Sequence, residues 1–162
     1  MKQSLTAQSA NALETLGCEL AAEVLHNFGR LRLRATGASM LPVVWPGDTL
    51  LVQSHDSAAV LPGDMVLFRR YGRLVAHRVV SRSQAHSTLQ WITRGDSVVC
   101  DDAPVFGDDL LGRVVAIERG SMRYIPRQSR ASRLIAWVLR RSDTCTRLLL
   151  HFANPRYGFG GR

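Results

Sequence analysis

The sequence predicts a mainly β fold with an N-terminal helix and a C-terminal helical segment, on three observations. Short apolar runs of strand length fill the region from Leu31 to Arg119. Turn formers separate them: Pro46-Gly47-Asp48, Pro62-Gly63-Asp64, Tyr71-Gly72-Arg73 and Gly95-Asp96. Outside that region the apolar period lengthens to that of a helix.

Residues 4–28 form the first predicted element. Leu13, Leu16, Leu20, Val24 and Phe28 recur near 3.6 spacing, and Gly29 can close the end. One such helix is too little for a helix-turn-helix reader. At Leu31 the period changes to two, because Leu31 and Leu33 alternate with Arg32 and Arg34 as in a half-buried strand. Further strands are expected at Thr49–Ser54, Met65–Arg70, Leu74–Arg82, Leu89–Arg94 and Leu111–Arg119. Each of the two Pro-Gly-Asp triplets precedes an apolar strand, which reads as recurring turn chemistry and not as a repeat architecture. After Pro126 a helical pattern runs to about Phe152: Leu134, Ile135, Val138 and Leu139 form an apolar side, Arg127, Arg130, Arg133, Arg140 and Arg141 lie nearby, and Trp137 sits toward the arginines. The tail from Asn154 to Gly161 is glycine-rich. The chain thus divides into an N-terminal helical segment (1–30), a β domain (31–126) and a basic helical C-terminal segment (127–162).

A chain of 162 residues suits one domain with a short appendage. No run approaches ~20 uninterrupted apolar residues, the length that spans a bilayer as a helix, and the polar start lacks the apolar core of a secretory signal. A cytoplasmic location, peripheral to the membrane at most, is expected. Cys18, Cys100 and Cys145 are odd in number, widely spaced and without a C-x-x-C pair, so they read as free thiols. No metal site and no cofactor is expected. The net charge of +8 is uneven: residues 1–112 hold ten basic and eleven acidic side chains, whereas 113–162 hold eleven arginines against Glu118 and Asp143. Such a segment suits peripheral contact with an anionic membrane. Specific nucleic-acid binding is not expected, since no DNA-reading element is recognisable.

Ser39 lies in the run Gly37-Ala38-Ser39-Met40-Leu41-Pro42. A serine hydroxyl that attacks a carbonyl needs a base, either a histidine or a desolvated lysine. The sole lysine is Lys2, in the N-terminal stretch, so His77 in Val75-Ala76-His77-Arg78-Val79 is the leading base. Asp96, Asp101 and Asp102 follow as carboxylates able to orient an imidazole.

In order and spacing these segments resemble the signal peptidase and SOS-repressor superfamily of serine peptidases. The resemblance rests on Gly37 to Pro42, Gly47-Asp48 and its strand, Gly63-Asp64-Met65-Val66-Leu67-Phe68, Val75 to Val80, and Thr93-Arg94-Gly95-Asp96 running through Asp101-Asp102 to Leu111-Gly112-Arg113-Val114-Val115. It spans about residues 35–117. Bacterial signal peptidases and self-cleaving repressors carry a lysine where this chain has His77; the endoplasmic-reticulum and archaeal-type enzymes carry a histidine, and the chain resembles that branch. The resemblance implies the superfamily's β fold and a serine endopeptidase that takes a peptide or precursor protein as substrate. Ser39 would be the nucleophile, His77 the general base and Asp102 the carboxylate on the imidazole, with Asp96 the second candidate. Gly37, Ala38, Met40 and Pro42 would shape the turn and the substrate side. Two departures stand out: many signal peptidases have a serine hydroxyl where this chain has Gly37, and no membrane anchor is recognisable. The competing expectation is an inert or self-cleaving regulatory module of the same fold.

Overall fold

Strand-length apolar runs separated by turns that reverse the chain favour antiparallel neighbours. The computed structural model describes residues 2–85, 88–127 and 130–141 and shows this arrangement. A long helix α1 (Lys2–Phe28) leads into β1 (Arg30–Arg34), β2 (Thr49–Gln53), β3 (Met65–Arg70), β4 (Arg73–Ala85), β5 (Thr88–Arg94), β6 (Val105–Phe106), β7 (Leu110–Arg119) and β8 (Met122–Tyr124), and α2 (Arg130–Arg141) follows. The described strands form one antiparallel sheet in the order β1-β2-β7-β3-β4-β5-β6, with β8 on β7. The six strands expected from the sequence are present within a residue or so at most ends, β4 running on to Ala85. β6 and β8 are additions, too short to carry a period. The expected helix from 142 to 152 and the glycine-rich tail lie outside the described residues.

β3 sits between β7 and β4 with both faces covered, which is why Met65-Val66-Leu67-Phe68 is continuously apolar rather than alternating. Met65 and Leu67 join a core with Leu25, Met40, Val44, Leu50, Val52, Val114 and Ile117. Val66 and Phe68 face a second core with Val60, Val79, Trp91, Val105 and Leu110. In register, His77 of β4 lies opposite Val66, so strand alternation turns it toward the second core, where its ring meets Phe68 edge-on at 6.1 Å.

The two Pro-Gly-Asp turns are alike in detail. Gly47 and Gly63 have φ of 95° and 97°, the left-handed region that glycine alone enters freely. In each turn the aspartate accepts a backbone N–H from three residues back, Trp45 to Asp48 at 2.8 Å and Leu61 to Asp64 at 3.0 Å. Asp48 is buried and also takes both Nε and a terminal N–H of Arg119, at 2.8 and 2.7 Å. Arg119 in turn lies over the rings of Trp45 and Tyr124. Burial pushes the Tyr124 phenol above its ordinary pKa.

α1 does not bury the leucine stripe whose spacing marks it as a helix. Its buried side is Cys18, Ala21 and Leu25, while Leu13, Leu16, Leu20 and Phe28 face outward. Small side chains let the helix approach the β3–β4 turn closely: the Cys18 thiol donates to the Gly72 carbonyl at 3.1 Å, and a Cβ on Gly72 would stand 2.9 Å from Thr15 Oγ1. Burial also raises the Cys18 thiol above its ordinary pKa, whereas Cys100 is exposed. A maleimide near neutral pH is therefore expected to modify exposed Cys100 at least ~10-fold faster than Cys18 in the native protein, since burial cuts both access to Cys18 and its thiolate fraction. Peptide mass spectrometry of a short time course checks this; equal rates would contradict the packing of α1.

Candidate active site

The serine, histidine and aspartate come from three separate places in the chain. Ser39 starts the turn between β1 and β2, His77 lies in the first half of β4, and Asp102 follows β5 on the way to β6. They converge. His77 Nε2 lies 2.9 Å from Ser39 Oγ, and His77 Nδ1 lies 2.7 Å from Asp102 Oδ2. A carboxylate can only accept, so Nδ1 carries the ring proton and Nε2 faces the serine hydroxyl with its lone pair. Both His77 and Asp102 are mostly shielded, their side chains 11% and 21% exposed. The β4–β3 ladder and the Phe68 edge fix the ring from behind.

Asp102 is held in turn. Fully buried Thr93 donates its hydroxyl to Asp102 Oδ2 at 2.6 Å, and the Asp102 N–H returns to the Thr93 carbonyl at 2.8 Å. One carboxylate oxygen thus receives both the imidazole and the threonine, which leaves it little freedom to rotate. The next two carbonyls, of Ala103 and Pro104, accept from Arg70. Asp101 points away, half-exposed, and pairs with Arg94 at 3.1 Å.

Asp96, the second candidate for the imidazole, has a different partner. Its two oxygens accept from Arg78 Nε and a terminal nitrogen at 2.9 and 2.8 Å, a forked pair in which both residues are buried. Arg78 also donates to the carbonyls of Gly63 and Pro126, at 2.8 and 3.0 Å. Both ring nitrogens of His77 are meanwhile taken by Ser39 and Asp102. The imidazole-orienting position therefore belongs to Asp102, and Asp96 ties β4 to the Gly95-Asp96 turn and to the chain after β8.

The Ser39 turn is clamped from the same side. Ser97 N–H donates to the Ser39 carbonyl at 2.9 Å, and Ser97 Oγ reaches the carbonyls of Ser39 and Ala38 at 2.9 and 3.0 Å. Gly95 presses against it closely enough that a Cβ there would stand 2.7 Å from the Ser39 carbonyl oxygen and 3.0 Å from Ser39 Cβ. Backbone cannot yield as a side-chain tip can, so Gly95→Ala must displace one of the two turns. Since about 1 Å of misplacement costs on the order of 10²-fold in rate, Gly95→Ala is expected to lower acylation of Ser39 about 10²-fold and to destabilise the fold by about 1–3 kcal/mol. Single-turnover labelling together with a denaturation curve reads both, and a variant with wild-type labelling would show the contact to be unimportant.

Ser39 and His77 line a cleft of about 340 Å³ whose other walls are mainly apolar: Leu33, Ala35, Met40, Val44, Leu50, Leu74 and Ala76. Of the residues expected to shape the substrate side, Gly37 and Met40 line this cleft. Ala38 and Pro42 instead hold the turn, their carbonyls accepting from Ser97 and from the Trp45 indole. A side chain at Gly37 would meet nothing within 4 Å, so the missing hydroxyl there is a choice of sequence and not of space. The backbone N–H groups of Ser39 and Met40 have no hydrogen-bond partner among the described residues. No group of three or more potential metal ligands occurs among the described residues.

Thr93, Ser97 and Arg78 were not foreseen as parts of the site. Thr93 and Ser97 carry no local signature, and the arginine beside His77 is one of many in a basic chain. No protein-family model matches the chain, and no curated protein matches it.

Proposed function

We propose that the protein is a serine endopeptidase similar to the histidine branch of the signal peptidase superfamily, cleaving an extended peptide such as a signal or leader sequence. The observation that carries this reading is the His77 ring, hydrogen-bonded through one nitrogen to Ser39 Oγ and through the other to Asp102. Ser39 Oγ attacks the scissile carbonyl as its proton passes to His77 Nε2, and Asp102 stabilises the imidazolium that forms. His77 then gives that proton to the leaving amine. Water, deprotonated by His77, hydrolyses the resulting ester and restores Ser39. The N–H groups of Ser39 and Met40, without a partner among the described residues, are the local donors that suit the developing oxyanion.

The sheet favours a strand-like substrate. Among the described residues β1 pairs only with β2, and β5 joins β4 only from Arg78 onward, so one side of Leu74 to His77 has no strand partner there. Both stretches border the cleft, where an extended peptide can add main-chain hydrogen bonds. Ala35 and Ala76 leave shallow apolar space in its walls, which suits small side chains next to the cleaved bond.

The test is intact-protein mass spectrometry after exposure to a serine-reactive acylating probe at neutral to mildly alkaline pH. A single adduct on the wild type, absent from Ser39→Ala and His77→Ala, is expected. No adduct, together with no cleavage in a library of peptides with small residues, would move the reading to an inert binding module.

A further inference from the structure

An amphipathic helix on a protein surface normally turns its apolar side inward and its charges to water. α2 buries only part of its apolar side. Ala136 and Leu139 are its buried contacts, 2% and 4% exposed, while Leu134, Ile135, Trp137 and Val138 are 63%, 42%, 55% and 43% exposed. At about 100° per residue, Ala136 and Leu139 share one side of the helix, Ile135 flanks Leu139, and Leu134, Trp137 and Val138 lie across from them. The same twelve residues hold Arg130, Arg133, Arg140 and Arg141 and no acidic residue. The Arg141 guanidinium lies 5.2 Å from the Trp137 ring centroid, which sets a cation between Trp137 and Leu134 on the exposed side.

We infer that α2 is a docking helix for an anionic lipid bilayer, lying in the plane of the interface with Leu134, Trp137 and Val138 entering the acyl boundary and its arginines meeting the headgroups. Exposed apolar side chains that include a tryptophan, interleaved with long arginines able to reach the headgroups, are the composition of an interfacial helix. Charge selects the occupant: eleven arginines against two acidic residues from 113 onward favour an anionic surface. A second copy of the chain would bring a like-charged helix to the same face. Nucleic acid would take the arginines but leave four apolar side chains in water.

The helix is joined to the candidate site's framework. Pro126, just before it in the chain, accepts a buried hydrogen bond from Arg78, the neighbour of His77. On the peptidase reading, and only on it, a docked α2 brings the cleft to peptides presented at a membrane surface. The docking itself is independent of that reading, so Ser39→Ala is expected to bind vesicles like the wild type.

Co-sedimentation with phosphatidylcholine vesicles, with and without phosphatidylglycerol, tests the inference at physiological ionic strength. Binding to the mixed vesicles, at least about tenfold weaker on phosphatidylcholine alone, is expected. Leu134→Gln and Trp137→Gln, both at exposed positions, are expected to weaken it about tenfold each. Arg141→Gln is expected to weaken it about fivefold. Vesicle addition is expected to shift tryptophan emission to shorter wavelength, and Trp137→Phe to remove that shift, since Trp91 is fully buried and half-buried Trp45 is held by Pro42 and Arg119 away from α2's exposed side chains. The inference is overturned by no binding to the mixed vesicles, by binding that the Leu134 and Trp137 substitutions leave unchanged, or by self-association in vesicle-free solution that those substitutions abolish.

Discussion

Peptide turnover is expected to fall about 10⁶-fold in Ser39→Ala and in His77→Ala, and about 10⁴-fold in Asp102→Asn, with little change in stability in any of the three. The order follows from the hydrogen bonds. On the proposed mechanism Ser39 bonds to the reacting carbonyl and His77 carries its proton, so losing either removes the whole covalent route. Asp102 acts through the imidazole: it accepts from Nδ1 at 2.7 Å and leaves Nε2 to take the serine proton. An amide in its place can offer an N–H to Nδ1, which favours the tautomer with its proton on Nε2, where a base is needed. Combining Ser39→Ala with Asp102→Asn should add almost nothing to Ser39→Ala alone, because the residues act as a unit. Single-turnover kinetics on an internally quenched peptide with small residues beside the cleaved bond reads all of these. If Asp102→Asn retained wild-type turnover, the contact to Nδ1 would be structural only.

Arg78→Ala is expected to destabilise the protein by about 3–5 kcal/mol, the usual cost of removing one partner from a buried ion pair. It would leave the Asp96 carboxylate, 2% exposed, without its forked donor and strip a hydrogen bond from the carbonyls of Gly63 and Pro126. Asp96→Asn should cost less, since an amide oxygen still accepts from one arm of the guanidinium. Replacing both partners together, as Arg78→Met with Asp96→Leu, is expected to recover much of the loss, because the desolvation penalty then disappears from both sides. Denaturant midpoints at constant slope measure the series. A midpoint for Arg78→Ala near that of the wild type would mean that the pair contributes little. This series also separates the two aspartates: substitution of Asp96 should appear first in stability and that of Asp102 first in rate.

Much of the architecture was legible because strand and turn chemistry is local. Alternation in Leu31-Arg32-Leu33-Arg34 and the continuous apolar run at Met65 to Phe68 each reflect how many faces of a strand are covered. Each of the two Pro-Gly-Asp turns carries a local hydrogen bond from a backbone N–H to its aspartate, although Asp48 also binds distant Arg119. Helix orientation was less legible. The regular leucine stripe on α1 suggested a buried side, but Cys18, Ala21 and Leu25 form it, because close approach to the Gly72 turn rewards small side chains that periodicity underweights. On α2 likewise, only Leu139 of the four apolar residues grouped in the sequence turns inward.

For the candidate site, composition narrowed the base to His77 by the lack of any lysine other than Lys2, and the order of short motifs drew attention to Ser39 and the late aspartates. The choice between Asp96 and Asp102 was beyond it. Both follow a strand end in similar polar surroundings, and their distances from His77 depend on how β5 leaves the sheet, not on spacing along the chain. Register decided the matter: the β4–β5 ladder starts at Arg78 opposite Arg94, which brings the Arg78 side chain to Asp96 just past the β5 end and leaves His77 to meet Asp102. Thr93, Gly95 and Ser97 belong to the same class. Their contacts, to a carboxylate nine residues on and to a turn 56 to 59 positions earlier in the chain, exist once β-pairing has closed those separations. Local chemistry thus determined which residue types were at hand; long-range pairing, which no short window of sequence encodes, decided which of them touch.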